Sequence, residues 1–186
     1  MTSSIPPEPN GSETNGHCLK TQIRKKILGQ SITDQDKAIA AANVCNKIIL
    51  TNEWQSAKTV GFYWPRPWEI STIPLINMAK GKRCYLPVVN GVDMAFYRFN
   101  SLLELKIARN SIMEPAKNEL CIPELLIVPC VAVSISGFRI GYGKGIYDRY
   151  LMQNNCKSFV IAYKYQVVEE NFVDPWDQCC SRVFYS

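Results

Sequence analysis

The chain is 186 residues long, 47% hydrophobic and 20% charged, with a formal net charge of +5. This length fits one domain with a substantial core and is short for two, and the composition is that of a soluble globular protein. The positive balance suits anionic ligands. Lys and Arg are scattered instead of forming a stripe, and no apolar run nears bilayer-spanning length, so neither nucleic acid nor a membrane is an expected partner.

Residues 1–17 are rich in Ser, Pro, Glu, Asn and Gly and read as a disordered tail. They carry Glu8 and Glu13, no Arg and no apolar centre, which argues against a secretory signal or a mitochondrial transit peptide and for a cytoplasmic protein. A basic helix is predicted from Leu19 to Leu28, ended by Gly29. Thr33-x-x-Asp36 resembles a capping box and opens a second helix, with Ala38, Ala41, Ala42, Cys45, Ile48 and Ile49 at helical spacing. Val60–Trp64 reads as a strand closed by Pro65 and Pro67. A helix over Ser71–Lys80 and a strand over Cys84–Val88 complete a β-α-β unit, and Asn90-Gly91 signals a hairpin into Met94–Phe99. The apolar run Leu125–Val133 predicts a buried strand, followed by a helix after Tyr147, a strand over Phe159–Tyr163 and a closing strand over Arg182–Tyr185. Helices alternating with apolar strands imply an α/β layered single domain over 18–186, with a mostly parallel central sheet flanked by helices.

Eight cysteines and one histidine, His17, give no zinc-ligand spacing. The cysteines are expected to be free, mostly as small core residues in a reducing compartment.

Between the run at Leu125–Val133 and the following helix lies Gly137-Phe138-Arg139-Ile140-Gly141-Tyr142-Gly143-Lys144-Gly145-Ile146-Tyr147-Asp148. A glycine-rich turn from strand to helix exposes backbone N–H groups that can reach a phosphate. Arg139 and Lys144 add cations and Asp148 a potential metal ligand. The P-loop pattern fails because Gly145 follows Lys144, and the dinucleotide pattern fails because the glycines run G-x-G-x-G. Spacing alone leaves a plain turn and a phosphate cradle both open. Lys20 and Arg24 lie one turn apart on a helix face, which fits either a solvated surface or an anion site. Glu69, in the loop after the first strand, could accept hydrogen bonds from a ligand or favour the start of the next helix. Trp64 could line a pocket or the core, and Asp177 has no local signal of its own.

Arg139 through Asp148 resembles the signature of the 5-formyltetrahydrofolate cyclo-ligase (5,10-methenyltetrahydrofolate synthetase) family: Arg, Leu or Ile, Gly-x-Gly, Gly or Lys, Gly, any residue and Tyr-Asp after a Val-Pro strand. The resemblance extends from Lys20 to about Phe184. It implies a monomeric ATP- and magnesium-dependent ligase of one-carbon metabolism that closes 5-formyltetrahydrofolate to 5,10-methenyltetrahydrofolate, releasing ADP and phosphate. It also implies that Lys20, Arg24, Arg139, Gly141, Gly143, Lys144, Gly145 and Tyr147 hold ATP, with helix Leu19–Leu28 packed over the glycine loop. Trp64, Glu69, Tyr142, Lys144 and Ile146 are implied on the folate side, with Glu69 on the pterin. Arg139 and Lys144 are implied to act on the transferred phosphoryl group, and Asp148 and Asp177 to bind Mg2+. The chain departs from the pattern at Cys130 (usually Gly), Ser134 (usually Asp), Ser181 (usually a second Asp) and around Asn110, where a ring is common. These departures leave open an altered substrate, or a paralogue that binds ATP or folate without catalysis.

Overall fold

Short apolar segments bounded by Pro, Gly and polar turns cannot bury both faces alone, so they stack into a sheet and are covered by helices. The computed structural model describes residues 13–108, 112–169 and 172–186. In chain order its elements are α1 (Glu13–Leu28), α2 (Asp34–Ile49), α3 (Asn52–Ser56), β1 (Thr59–Gly61), α4 (Ile73–Met78), β2 (Arg83–Asn90), β3 (Asp93–Phe99), β4 (Lys106–Ile107), β5 (Met113–Glu114), β6 (Leu120–Cys121), β7 (Leu125–Val128), β8 (Ala132–Ser134), β9 (Arg139–Ile140), α5 (Ile146–Gln153), β10 (Lys157–Ala162), β11 (Val167–Val168) and β12 (Arg182–Tyr185). Seven strands form one sheet in the order β12-β10-β7-β1-β2-β3-β6. The pairs from β12 to β2 are parallel, and β3 and β6 add antiparallel strands at one edge. The expected mostly parallel α/β sheet and both β-α-β units are therefore present.

One face of the sheet is covered by α2 and α4. Ala40, Ala41, Val44, Cys45 and Ile48 of α2 pack with Phe62, Leu75, Ile127 and Phe159. The other face meets Tyr150 and Leu151 of α5, which pack with Phe96, Val128 and Val160. Each fully buried Leu, Ile or Phe here stabilises the fold by about 1.5–3 kcal/mol. A third cluster joins Ile23 and Ile27 of α1 to Ala132, Ile140 and Phe172. It seats α1 on a separate three-stranded sheet, β11-β8-β9.

Several boundaries differ from the sequence expectation. Helix α1 begins at Glu13, ahead of the expected Leu19, so part of the expected tail is helical; residues 1–12 lie outside the described residues. The buried face of α2 runs through Ala40 and Val44, while Ala38 and Ala42 are exposed, because alanine marks a helix face weakly. Its cap is half a capping box. The Thr33 hydroxyl oxygen accepts from the Asp36 N–H at 3.1 Å, but the Asp36 carboxylate accepts from the Thr33 hydroxyl instead of its backbone. Helix α4 is shorter than Ser71–Lys80. The run Leu125–Val133 splits at Pro129, which lacks an N–H for the ladder; β7 stays in the main sheet and β8 crosses into the small one. All eight cysteines are free, but only Cys45, Cys130 and Cys180 are buried, and Cys18 and Cys179 are exposed. Burial pushes the Cys45 thiol up to about 11.

Parallel strands β1 and β7 both run toward the end of the sheet from which the loops bearing Glu69 and the glycine motif emerge, where open α/β sheets place ligands. Gly137 makes the turn from β8 to β9. Its φ is +101°, and an added Cβ would lie 2.6 Å from the Cys180 carbonyl oxygen, whose own N–H donates to the Gly137 carbonyl. Gly91, at φ +65°, has nothing within 4 Å of that position. Gly137→Ala is expected to cost about 1–3 kcal/mol of strain plus a backbone displacement, and Gly91→Ala only the strain. Denaturant midpoints of the two variants check this; equal losses would contradict the close approach at Gly137.

Candidate functional site

The glycine motif folds as a hairpin that runs into a helix. Strand β8 pairs antiparallel with β9, setting Val133 opposite Arg139. The chain then turns through Gly143 at φ +92° and Gly145 at φ +60°, the second being the N-cap of α5. Left-handed backbone at both positions is what glycine supplies without strain. Arg149 closes the loop from within α5, donating to the Lys144 carbonyl at 2.5 Å and the Val92 carbonyl at 3.3 Å. Lys144 is exposed. Ile146 opens α5, half-buried.

Helix α1 lies against this loop, as its pairing with the motif required. The Arg24 Nε donates to the Gly141 carbonyl at 2.7 Å, and its guanidinium faces Gly143. Burial lowers the Arg24 pKa and the nearby Asp177 charge opposes that shift; arginine stays ionised regardless. Lys20, one turn earlier, does not reach the loop. Its ammonium is held by Asp174 at 2.7 Å and Asp177 at 2.5 Å, and all three side chains are at most 15% exposed.

Arg139 is the most buried of the four cations, with a side chain 2% exposed. Its Nη2 lies 3.2 Å from Asp148 Oδ1, and its guanidinium sits 5.5 Å above the Tyr147 ring. Its Nε and Nη2 have no hydrogen-bond acceptor. Buried donors without acceptors are costly, and a guanidinium in that state suits an anion with two or more oxygens. Asp148 Oδ1 also accepts from the Gln178 N–H at 3.2 Å, the amide that directly follows Asp177. The two candidate metal carboxylates are thus brought alongside, Asp148 paired with Arg139 and Asp177 with Lys20. No group of three or more His, Cys, Asp or Glu that could hold a metal occurs among the described residues. Two carboxylates with hard oxygen donors fit a magnesium ion that takes its remaining ligands from water and phosphate.

Glu69 occupies the other half of the site, 6% exposed. Its Oε1 accepts from the Tyr142 hydroxyl at 2.7 Å and its Oε2 from the Arg66 N–H at 2.8 Å. Trp68 Nε1–H donates to the same Tyr142 oxygen at 2.6 Å, and the Arg66 guanidinium lies 5.0 Å over the Tyr142 ring. The Tyr163 hydroxyl holds the Glu69 carbonyl at 3.1 Å. Helix α4 starts after Thr72, and Glu69 accepts no hydrogen bond from it, so a capping role is not what holds this carboxylate. Burial raises the Glu69 pKa, opposed by the bonds from Tyr142 and Arg66. Burial pushes up the Tyr142 and Tyr147 hydroxyls, the Glu69 charge adds to both shifts, and the Arg139 charge draws Tyr147 back. Trp64 is half-buried against the main core.

Two of the departures have structural roles. Ser134 accepts from the Phe138 N–H at 3.2 Å, the turn-capping bond a carboxylate could make there. The Ser181 hydroxyl accepts from the Ser158 N–H at 3.2 Å, tying the entry of β12 to β10. Cys130 is buried, its thiol 3.6 Å from the Ile161 carbonyl. Asn110 lies outside the described residues. Sequence reasoning missed Arg66, Trp68, Arg149 and Asp174. Of these, Asp174 alone had a signal, an Asp-Pro-x-Asp turn whose Asp174 N–H donates to the Asp177 carboxylate at 2.8 Å.

The family model for the 5-formyltetrahydrofolate cyclo-ligase family matches residues 17–186. The 5-formyltetrahydrofolate cyclo-ligase of Haemophilus influenzae is 32% identical over 172 residues, covering 86% of this chain and 91% of that protein. That of Escherichia coli is 34% identical over 134 residues, 65% of this chain and 74% of that protein. Among solved structures, the 5,10-methenyltetrahydrofolate synthetase of Aquifex aeolicus superposes with a TM-score of 0.81 at 30% identity, over 90% of this chain and 89% of that one.

The raised Glu69 pKa has a sign that can be measured. A carboxyl whose pKa is higher in the folded state favours folding while protonated, and this advantage is lost as pH rises from the unfolded pKa toward the folded one. Glu69→Gln cannot titrate. The stability of the parent relative to Glu69→Gln is expected to fall as pH rises from about 4 through the mildly acidic range. Denaturation of both proteins across that range checks it; a difference independent of pH would contradict the burial of this charge.

Proposed function

The chain belongs to the 5-formyltetrahydrofolate cyclo-ligase family, and we propose that it joins N10 of 5-formyltetrahydrofolate to its formyl carbon at the expense of ATP, giving 5,10-methenyltetrahydrofolate, ADP and phosphate. The formyl group is amide-like and its oxygen is a poor leaving group. Transfer of the γ-phosphoryl group to that oxygen activates the carbon. N10 then attacks and gives up its proton to solvent or phosphate, the C–O bond breaks, and the oxygen departs as part of phosphate. No side-chain nucleophile is needed, so the protein's work is positioning and charge neutralisation.

The observation that carries this reading is that one loop touches both the Arg24 guanidinium and the Glu69 carboxylate. Residues Gly141–Gly145 stand beside Arg24 and follow Arg139, while Tyr142 of the same loop is bonded to Glu69. In this reading Arg139, Lys144, Arg24, Lys20 and the glycine backbone hold the triphosphate, Tyr147 lies beside it, and Arg139 and Lys144 stabilise the transferred group. Glu69 accepts from pterin N–H donors in a pocket shared with Trp64, Tyr142, Lys144 and Ile146. Asp148 and Asp177 would hold Mg2+, which would offset the charge of the phosphates.

Charge-assisted hydrogen bonds contribute about 1.5–3 kcal/mol each. Arg139→Ala is therefore expected to lower kcat/KM for ATP at least about tenfold, and an unchanged ATP dependence in a folded variant would remove Arg139 from the site. Glu69→Gln sets a donor where an acceptor oxygen stood. Paired titrations with 5-formyltetrahydrofolate and with an ATP analogue should show folate affinity falling at least about fivefold, the loss of one buried hydrogen bond, with nucleotide affinity nearly unchanged. Equal losses in both would contradict the division of the site.

A further inference from the structure

Lys20 is where the fold and the triphosphate reading pull against each other. Its ammonium is clamped between Asp174 and Asp177, with Lys20 and Asp177 side chains each 7% exposed and Asp174 15%. Asp177 is fixed in turn by the Asp174 N–H, so the two carboxylates form one unit on a tight turn. A single ammonium needs one carboxylate for neutrality, and here it has two. Arg139, by contrast, is paired with a single carboxylate, Asp148. Of the four cations read as holding the triphosphate (Lys20, Arg24, Arg139 and Lys144), Lys20 and Arg139 are engaged by carboxylates, so freeing Lys20 would add one more charge for the phosphates.

We propose that Asp174 is a positioning residue that makes Lys20 available to nucleotide only when a divalent cation is present. This rests on the nucleotide reading given above. In this proposal the Lys20 ammonium stays with the pair of carboxylates when both are free, and turns to a phosphate when only one is left to it. A cation held by Asp177 leaves Lys20 with Asp174 alone, and the ammonium can then turn to the phosphates one helical turn from Arg24. Removing the Asp174 charge brings about the same change without metal. Asp174 thus couples the two ligands, in the sense that each alters the affinity of the other.

The test is equilibrium binding of a non-hydrolysable ATP analogue to the full chain, with excess Mg2+ and with a chelator, for the parent, Asp174→Asn and Asp174→Ser. The parent is expected to bind much more tightly with Mg2+. In both neutral variants metal-free affinity should rise, so that the ratio of the two affinities shrinks at least about fivefold, and Asp174→Glu should restore the ratio. Two neutral variants of different size guard against one that fails to fold, and thermal melts identify the folded ones. If affinities with and without Mg2+ move by the same factor, Asp174 only ties α1 to the segment before β12 and the proposal is overturned. If the parent binds no nucleotide with Mg2+, the nucleotide reading itself fails and takes the proposal with it.

Discussion

The burial of the Arg139 guanidinium is the constraint on which the rest of the site depends. A buried charge must be paired or hydrogen-bonded, and breaking such a pair costs about 3–5 kcal/mol. Asp148 supplies the pairing charge, and to do so α5 must begin directly after the glycine loop, with Asp148 in its first turn. The loop therefore has a fixed length and a fixed exit, which its left-handed glycines allow. The pairing is incomplete, because two guanidinium nitrogens are left without hydrogen-bond acceptors. Orphaned donors of this kind sit at functional sites more often than in inert cores.

The second buried charge, Glu69, is handled in the opposite manner. It has no cation within its own hydrogen-bonding shell and is stabilised by a hydroxyl and a backbone N–H. A carboxylate satisfied by neutral donors can exchange them for donors of an incoming ligand without leaving a bare counter-charge behind. Tyr142 links this carboxylate to the whole loop, since its hydroxyl bonds Glu69 while the adjacent Gly141 carbonyl holds Arg24. The fold contributes rigidity from three directions: α1 on the small sheet, α5 on the main sheet and β10 delivering Tyr163 beneath Glu69.

What could be read in the sequence followed the reach of local interactions. The parallel sheet was legible because its strands are continuous apolar runs, and the glycine loop because conformation and charge are written within twelve consecutive residues. Where a boundary depended on one backbone group it was misread, as at Pro129, which divides a single apolar run between two sheets. Helix α1 starts early because its polar first turn carries no periodicity to mark it. The contacts of Lys20 were out of reach, since its partners lie 154 and 157 residues away and nothing near Lys20 names them. The Tyr142–Glu69 bond spans 73 residues and was likewise invisible, although both residues had been singled out separately.

We propose that one loop joins phosphoryl transfer to ring closure on a folate. The most direct measurement follows both products in a single mixture of the protein, ATP, Mg2+ and 5-formyltetrahydrofolate, reading methenyltetrahydrofolate by its absorbance and ADP by a coupled assay. The two are expected to appear in equal amounts, and omitting either ATP or the folate is expected to abolish both. ADP formed without methenyltetrahydrofolate, or binding of both ligands with no turnover of either, would contradict it.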